Sequence, residues 1–341
     1  MLKINKNISF NKEGPPKLIA EISCNHIGSK SLFLKHIIAA KKAGADMVKI
    51  QTYESSDMIV NKNFKIKSGL WKNKNLNNLY KKAETPFKWH KDAFKLAKKL
   101  KITLFSSPFS ERAVQFLKKF NPSLYKIASF EITDLNLIEL IAKTKKPIIM
   151  STGLAKDFEI IRAINVIKKY HKKIILLHCV SGYPTPIDEA NLENIERLKK
   201  ITKIQYVGFS DHTKGIYAST IASNYKICAV EKHFILNKKI NSPDKKFSIT
   251  PKELKKLKNN IIKNYSMKKI NKKKSEIPSL IFRRSVYAIK DINKDEFFTK
   301  QNIQCFRPMT GIGAEEYPNI LGKKAKNKIK KFTPIYKKNF S

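Results

Sequence analysis

Short apolar runs alternate with segments of helical periodicity along most of the chain. The apolar runs are four to seven residues long, the length of a buried strand, and a segment with apolar residues at helical spacing follows most of them. The strand-like runs are residues 17–23, 47–52, 102–105, 124–128, 147–150, 174–179, 204–207 and 227–230. Eight such runs joined by helices predict an α/β fold, the (β/α)₈ TIM barrel.

The predicted helices fill most of the intervals between these strands. They are residues 31–43, 89–100, 110–119, 135–144, 158–169, 192–201 and 216–223, and 251–263 is the last helix of the barrel. One connection is different, because residues 53–86 form a long polar stretch. Long connections in compact domains usually have a function, so we expect this stretch to contribute to a site.

Residues 1–16 are polar and end in Gly14-Pro15-Pro16, a turn that leads into the first strand.

The character of the sequence changes near its C-terminal end. We predict a barrel domain over residues 1–265 and a lysine-rich linker over 266–281. Short strands alternate with turns over residues 282–341, which predicts a small β-rich domain.

The net charge of +43 suggests a partner with negative charge, such as a nucleic acid. However, the lysines are spread along the whole chain and occur with many asparagines and isoleucines, a set of residues that AT-rich codons encode. We therefore attribute the charge to solvated lysine faces and expect no specific nucleic-acid partner. A basic polyanion-binding protein remains the alternative from another functional class.

Membrane insertion and secretion are not expected. No apolar run is long enough to span a bilayer, and residues 1–6 lack a signal-peptide pattern. The four cysteines, Cys24, Cys179, Cys228 and Cys305, lie far apart without paired spacing. Free thiols of this kind are typical of a reducing compartment, so we predict a cytoplasmic protein.

Two histidines follow the last two predicted strands. They are His212 in the segment 208–213 and His233 in the segment 231–234. The C-terminal ends of parallel barrel strands face the same side, so the two rings are expected to converge. Together they can hold one divalent cation and leave positions open for a substrate, and acidic residues beside both can orient the rings. The alternative is structural, with His212 capping a turn and His233 filling a core niche.

Polar residues also follow the other predicted strands. Several serines and two lysines among them are typical of an anion site, because lysine supplies charge and hydroxyl groups donate to phosphate. For any single serine, a turn or cap is the alternative. The strand-end residues are Glu21, Asn25, Lys49, Gln51, Ser106, Ser107, Lys126, Ser129, Glu131, Ser151, Thr152, His178, Ser181, Tyr183, Ser210, His212, Glu231 and His233.

These residues lie in blocks that match a known family in chain order. The blocks are residues 19–26, 48–53, 106–109, 125–131, 151–153, 177–179, 183–184, 210–213, 231–234 and 243–244. The chain thereby resembles the sialic acid synthases, which condense phosphoenolpyruvate with an acylamino sugar to give a nine-carbon nonulosonic acid. Residues 284–285, 306–308 and 320–323 resemble the antifreeze-like (SAF) domain of that family. The resemblance implies a transferase with this chemistry.

The resemblance also implies roles for individual residues. His212 and His233 would hold a divalent metal, manganese or else magnesium or cobalt, which would polarise the sugar aldehyde before phosphate leaves by carbon–oxygen cleavage. Arg307 would reach into the site of a neighbouring subunit, which implies a domain-swapped homodimer. The catalytic residues would be Glu21, Lys49 and Glu231. Phosphoenolpyruvate would bind Ser107, Lys126, Ser129, Ser151 and Ser210. The sugar would contact Gln51, Glu131, Tyr183 and Asp244 as well as Arg307.

Within the family, the chain most resembles the branch that makes pseudaminic acid from 2,4-diacetamido-2,4,6-trideoxy-altrose. The cues are residues 69–71, 79–80, 85–86, 89–90, 106–109, 128–131 and 247–248. Two features resemble the N-acetylneuraminate and legionaminate branch instead, namely His178 and residues 311–313. The same chemistry on a mannose-type sugar is therefore the alternative function.

Overall fold

The computed structural model describes residues 1–11, 14–268 and 274–340. The chain divides into two compact units, Met1–Lys268 and Lys269–Ser341. The strands of the first unit are β1 (Leu2–Lys3), β2 (Ser9–Phe10), β3 (Lys17–Glu21), β4 (Met47–Thr52), β5 (Thr103–Pro108), β6 (Tyr125–Ile127), β7 (Ile148–Ser151), β8 (Ile174–His178), β9 (Val207–Asp211) and β10 (Ala229–His233).

In the described part of this unit, eight parallel strands close into a barrel in the order β10-β3-β4-β5-β6-β7-β8-β9. The predicted (β/α)₈ barrel is therefore confirmed. The helices are α1 (Lys30–Lys42), α2 (Ser55–Met58), α3 (Leu76–Ala83), α4 (Phe87–Lys99), α5 (Glu111–Lys118), α6 (Leu135–Ala142), α7 (Asp157–Lys168), α8 (Asn194–Thr202), α9 (Tyr217–Ala222) and α10 (Pro251–Lys268). Within the described residues, none of the helices carries an apolar stretch that could cross a bilayer.

Local sequence explains where several helices begin. The side chain of Ser29 accepts a hydrogen bond from the backbone N–H of Leu32 at the start of α1, and Asp134 caps α6 in the same way. Such caps satisfy backbone donors that have no partner within the helix. Buried faces such as Ile160, Ile164 and Ile167 of α7 then pack against the strands, which are themselves rich in isoleucine, leucine and valine.

Several strands extend further toward their C-terminal ends than the apolar runs predicted. Residues 204–207 and 227–230 were expected as strands, whereas β9 and β10 include the polar residues Ser210, Asp211, Glu231 and His233. The parallel pairing continues through Ser210, Asp211 and Glu231, and the side chains of all four residues are buried. Polarity misleads here because these side chains have polar partners inside the protein: Ser210, Glu231 and His233 line the barrel mouth, whereas Asp211 pairs with Lys232 and Ser219.

The N-terminal residues are more structured than their polarity indicates. β1 and β2 pair as an antiparallel hairpin. Ile8 and Phe10 are buried in a cluster with barrel residues such as Leu124 and Ile175. The predicted lead-in is therefore part of the barrel's packing.

The long connection after β4 contains two helices and a closed arm. α2 and α3 lie within it, and residues 64–76 form an arm in which Lys65 and Asn75 pair as an isolated antiparallel bridge. Arg112 of α5 bonds Asp57 and contacts Glu54, which ties the beginning of the connection to the barrel. The connection is thus ordered rather than a structureless loop.

The second unit has a small core of its own. β11 (Ser285–Ala288) pairs with β12 (Ile303–Phe306), and a short helix, α11, covers Tyr317–Ile320. Isolated bridges such as Ile292 with Ile329 add further β structure around Val286, Phe298 and Ile335. Of the predicted linker, residues 269–273 lie outside the described residues, and Lys274–Phe282 forms a 3₁₀ helix.

Candidate active site

The C-terminal ends of the barrel strands surround a cavity of about 210 Å³. Strand register brings the polar ends level with one another, because Glu21 pairs with both Lys49 and His233, and Ser210 pairs with Glu231. Most of the side chains predicted from the sequence line this cavity. They are Lys49, Gln51, Lys126, Ser129, Ser151, Tyr183, Ser210, His212, Glu231, His233 and Asp244.

Two lysines and two glutamates meet at the floor of the cavity. The Nζ of Lys49 donates to Oε1 of Glu231 at 2.7 Å and lies 3.0 Å from Oε2 of Glu21. Ser210 Oγ also donates to Glu231 Oε1, at 3.2 Å. All of these side chains are buried. Lys49 therefore contacts both glutamates and forms a charged cluster with them.

Burial and neighbouring charges change how this cluster titrates. Burial lowers the pKa of Lys49 to about 8, although Glu231 opposes that shift. Burial alone would raise the pKa of Glu231, but Lys126 and Lys49 outweigh it, so the net pKa lies below its usual value. Opposite charges at close range favour the ionised form of each other. Glu231 is thus a carboxylate at neutral pH.

Lys126 and a group of small side chains form one side of the cavity. Lys126 Nζ donates to Ser151 Oγ at 2.6 Å, and Ser129 Oγ lies 3.0 Å from Cys179 Sγ. A side chain at Gly153 would meet Ser181 Oγ at 2.3 Å, Cys179 Sγ at 2.8 Å and Ser129 Oγ at 3.0 Å. The glycine therefore keeps open a niche lined by hydroxyl groups, and Ser181 Oγ has no hydrogen-bond partner among the described residues.

The two histidines face the same cavity, with ring centroids 5.5 Å apart. His212 Nδ1 donates to the carbonyl oxygen of Val180 at 2.8 Å, which fixes that ring and leaves Nε2 available. His233 Nδ1 lies 3.2 Å from Oδ2 of Asp244. Burial, with a smaller contribution from His233, lowers the pKa of His212 to about 3, so this ring is neutral.

A buried ion pair fixes the segment that carries His212. Lys232 Nζ lies 3.0 Å from Oδ2 of Asp211 and also donates to the carbonyl oxygen of Thr213. Asp211 Oδ1 accepts a hydrogen bond from the Thr213 N–H at 2.8 Å, and its Oδ2 accepts one from Ser219. Because Lys232 and Asp211 are fully buried, these bonds hold the backbone on both sides of His212.

Tyr183 forms an aromatic wall with the histidines. Its ring centroid lies 4.4 Å from that of His212, 5.3 Å from Phe247 and 5.8 Å from Trp71. Phe130 stacks on Tyr183 at 6.5 Å and is more than half exposed. The cavity therefore has a charged floor and an aromatic side.

Of the residues to which the resemblance gives a role, four do not line the cavity themselves. Glu21 contacts it through Lys49, and Ser107 is buried with an Oγ that has no hydrogen-bond partner among the described residues. Glu131 lies near Lys126, and burial raises its pKa to about 7. Arg307 is an exposed residue of the second unit.

Five other strand-end residues, Asn25, Ser106, Thr152, His178 and Ser181, are also absent from the cavity lining. Among them, His178 points away from the cavity. Its Nε2 donates to the carbonyl oxygen of Ala190 at 2.9 Å, and its Nδ1 accepts from Asn194 at 3.4 Å. It is absent from the cavity lining. The side chain of a strand's last residue points inward or outward according to its parity, and His178 points toward helix-side partners.

Several lining residues were not predicted as site residues. They are aromatic or apolar side chains of the long connection and nearby loops, namely Tyr53, Trp71, Leu76, Leu79, Tyr80, Ala83, Phe109 and Phe130. The signal that could have found them is the presence of large aromatic residues in an otherwise polar 53–86 stretch. Apolar groups that are not needed for a core often line a ligand cavity.

Comparison with known proteins gives these observations a family. The NeuB family model matches residues 36–273, and the SAF domain model matches residues 283–341. The chain belongs to the NeuB family. This confirms the resemblance inferred from the sequence, together with the appended SAF domain.

Two curated members of the family have similar length and sequence. Pseudaminic acid synthase from Campylobacter jejuni is 42% identical over 94% of this chain and 96% of its own length. N,N'-diacetyllegionaminic acid synthase from the same species is 38% identical over 92% of this chain and 96% of its own length. The NeuB chain is thus similar to enzymes that make different nonulosonic acids.

A solved structure of the family agrees with the fold. N-acetylneuraminic acid (sialic acid) synthetase from Leptospira borgpetersenii is 32% identical, with a TM-score of 0.73. The match covers 81% of this NeuB chain and 94% of the solved chain. The chain is a synthase-family enzyme on a barrel of this type.

Proposed function

We propose that the protein condenses phosphoenolpyruvate with 2,4-diacetamido-2,4,6-trideoxy-altrose to form pseudaminic acid and phosphate. The observation that carries the chemistry is the cavity floor, where buried Lys49, Lys126, Glu21 and Glu231 adjoin His212 and His233. The choice of sugar is supported by the similarity to the pseudaminic acid synthase from Campylobacter jejuni. The enzyme is accordingly a transferase.

Phosphoenolpyruvate would bind on the side of the cavity formed by Lys126. Lys126 is already hydrogen bonded to Ser151. Ser129 and Ser181 line the niche beside Gly153. Ser210 is bonded to Glu231. Hydroxyl groups with a buried lysine suit phosphate oxygens, because they supply donors together with a positive charge. Ser107, whose buried Oγ has no partner among the described residues, would supply one further donor.

The two histidines fit a divalent metal ion. Their Nδ1 atoms face Val180 and Asp244, so each ring would present Nε2 to the ion. Among the described residues no cluster of three or more His, Cys, Asp or Glu side chains is arranged for a metal, so substrate and water would complete the coordination. The ion, which we propose to be manganese, would polarise the sugar's aldehyde oxygen when bound.

The carboxylates would manage water and protons around the reacting carbons. The methylene carbon of phosphoenolpyruvate would form a bond to the aldehyde carbon as the C=O π bond breaks, and the aldehyde oxygen would take a proton to become a hydroxyl group. Water would add at the adjacent carbon that bears the phosphate. Glu231, an anion held by Lys49 and Ser210, would accept the proton from that water. The carbon–oxygen bond to phosphate then breaks, which leaves a 2-keto acid. Lys49 would compensate the charge of the bound anions.

The sugar would lie along the aromatic side of the cavity. We propose that it contacts Gln51, Tyr183 and Asp244, which line the cavity, and Glu131, whose pKa is raised to about 7 by burial. The proposal extends to a homodimer in which Arg307 of one subunit binds an acylamido group at the site of the other. The exposure of Arg307 is compatible with that role. The four free cysteines support a cytoplasmic location.

A phosphate-release assay tests the function directly. The full chain is incubated with phosphoenolpyruvate, manganese and one of three sugars: the diacetamido altrose derivative, the legionaminate precursor or N-acetylmannosamine. We expect release with the altrose derivative and little with the mannose-type sugars. Release with a mannose-type sugar alone would assign the enzyme to the neuraminate or legionaminate branch. A folded, metal-loaded protein that releases none would contradict the synthase function.

A further inference from the structure

The 64–76 arm holds one tryptophan against the cavity. The arm closes on itself through Asn73 N–H to the carbonyl of Ile66 at 2.8 Å and Leu76 N–H to the carbonyl of Phe64 at 2.9 Å. Trp71 lies at its tip, where Gly69 adopts a positive φ of 80° and the Lys74 N–H bonds the carbonyl of Trp71 at 3.0 Å. The backbone of the arm therefore fixes the position of the indole.

Trp71 carries a buried donor that has no protein acceptor. The residue lines the cavity, yet its Nε1 is buried and forms no hydrogen bond with the described residues. A buried N–H without a partner destabilises a folded protein, whereas phenylalanine would pack in the same place without that penalty. The indole N–H is therefore available to donate a hydrogen bond to an acceptor atom of a ligand bound in the cavity.

The position of Trp71 indicates which part of a ligand it can reach. Its ring contacts Tyr183 at 5.8 Å, and Tyr183 in turn contacts His212 at 4.4 Å. Trp71 is thus one aromatic ring removed from the histidines, which mark the aldehyde end of the sugar. A substituent on the carbon next to the aldehyde lies close to the histidines, and a substituent further along the sugar chain lies nearer Trp71.

We propose that Trp71 is a specificity-determining residue that recognises the acylamido group distal to the aldehyde. Its Nε1–H donates to the amide carbonyl oxygen, and its ring packs against the acyl methyl group. This inference rests on the proposed function, because it needs a sugar with a second acylamido group. It accounts for a donor and an apolar surface on the same side chain, which are the two features that an acetamido group requires.

The chain offers an internal optical probe, because its two tryptophans are Trp71 and Trp89. Trp89 lies on the outer side of the barrel, where its ring contacts His26 at 5.4 Å and Phe33 at 5.8 Å. The Trp89→Phe variant therefore reports on Trp71 alone, and the Trp71→Phe variant reports on Trp89 alone. The ligand is the alditol of the diacetamido sugar, which lacks the aldehyde and cannot react.

Both variants and the unmodified enzyme are titrated with this alditol in the presence of phosphoenolpyruvate and manganese. We expect saturable fluorescence changes with Trp89→Phe and none with Trp71→Phe. Calorimetry then compares the diacetamido alditol with an analogue in which a hydroxyl replaces the distal acetamido group. Trp71→Phe should weaken the first by on the order of tenfold and leave the second unchanged.

Other outcomes overturn the inference. If Trp71→Phe weakens the binding of both alditols equally, or of neither, Trp71 does not recognise the distal acetamido group and only packs against its neighbours. The proposed function is tested separately by the unmodified enzyme, since absence of phosphate release from phosphoenolpyruvate with the parent sugar contradicts the function itself. Release by the unmodified enzyme together with unchanged binding by Trp71→Phe contradicts the Trp71 inference alone.

Discussion

Lys49 Nζ lies 2.7 Å from Oε1 of Glu231, and both side chains are buried. Glu21 lies on the other side of Lys49, and Lys126 Nζ is 3.9 Å from the same Glu231 oxygen. Two lysines and two glutamates thus offset one another in the cavity floor. Under the proposed function, phosphoenolpyruvate would add negative charge to this cluster, and a divalent ion at the histidines would offset that charge.

Removing the Lys49 charge should disable the site. The Lys49→Met variant leaves Glu21 and Glu231 buried near each other without the cation between them, so the protonation of the pair changes and the bound anions lose a partner. We expect kcat to fall by at least about a hundredfold. Steady-state phosphate release measures this. Lys172→Met, at an exposed position, is the control and should retain full activity. Similar rates for both variants would contradict the role of Lys49.

Glu131 should make stability depend on pH. Burial raises its pKa to about 7 from 4.5, while Lys126 and Lys49 oppose the shift and Asp134 adds to it. The folded state therefore binds the proton more tightly than the unfolded state, and the stability from this group is lost as the pH rises through that interval. Relative to Glu131→Gln, the wild type should lose about 2 kcal/mol between pH 4.5 and 7.

Urea denaturation of the two proteins at both pH values measures this difference. Glu189→Gln, at an exposed position, is the matched control and should follow the wild type at each pH. A Glu131→Gln variant with the same pH dependence as the wild type would show that Glu131 titrates normally.

The buried Lys232–Asp211 pair should support both stability and the position of His212. Lys232→Met leaves the Asp211 carboxylate buried without its cation and removes the bond to Thr213, so we expect a loss of about 3–5 kcal/mol. Adding Asp211→Asn removes the uncompensated charge and should restore part of the stability, but not the activity. Denaturation curves of the single and double variants measure stability, manganese titrations measure the effect on His212, and phosphate release measures activity. Full activity in the double variant is the result this account excludes.

Manganese binding should depend on His233 but not on a histidine elsewhere. The His233→Ala variant should bind Mn²⁺ more weakly by at least on the order of a hundredfold, because even residues that only orient metal ligands contribute up to that much. His171, which accepts a bond from the Lys173 N–H at 3.1 Å and does not line the cavity, is the control. Calorimetry with Mn²⁺ measures binding without relying on turnover. The control variant is His171→Ala. If it and His233→Ala bound Mn²⁺ with equal affinity, His233 would not be a metal ligand.

The sequence was most informative where periodicity and strand ends coincide. Apolar runs identified the barrel strands, and the rule that their C-terminal ends share one face brought Lys49, Lys126, His212 and Glu231 together before any coordinates. Each of these side chains lines the cavity. No further information was required, because the (β/α)₈ topology places the C-terminal ends of all eight strands at the same end of the barrel.

Other positions depend on information that local pattern lacks. His178 ends a strand as His233 does, but its parity along the strand directs it outward, where it bonds the carbonyl oxygen of Ala190. Trp71 could not be placed, because a residue in a 34-residue polar stretch has no periodicity to orient it. The hairpin of β1 and β2 is specified by packing of Ile8 and Phe10 against the barrel, a contact between residues far apart in sequence.

The most direct test of the proposed condensation follows the bridging oxygen of phosphoenolpyruvate. The full-length enzyme, loaded with Mn²⁺, receives the diacetamido altrose derivative and phosphoenolpyruvate whose bridging oxygen carries a heavy isotope. Mass spectrometry should find the label in the released phosphate and none in the product, a nine-carbon keto acid that retains both acetamido groups. Label retained in the organic product, or release of pyruvate in place of the nine-carbon acid, would contradict condensation with carbon–oxygen cleavage.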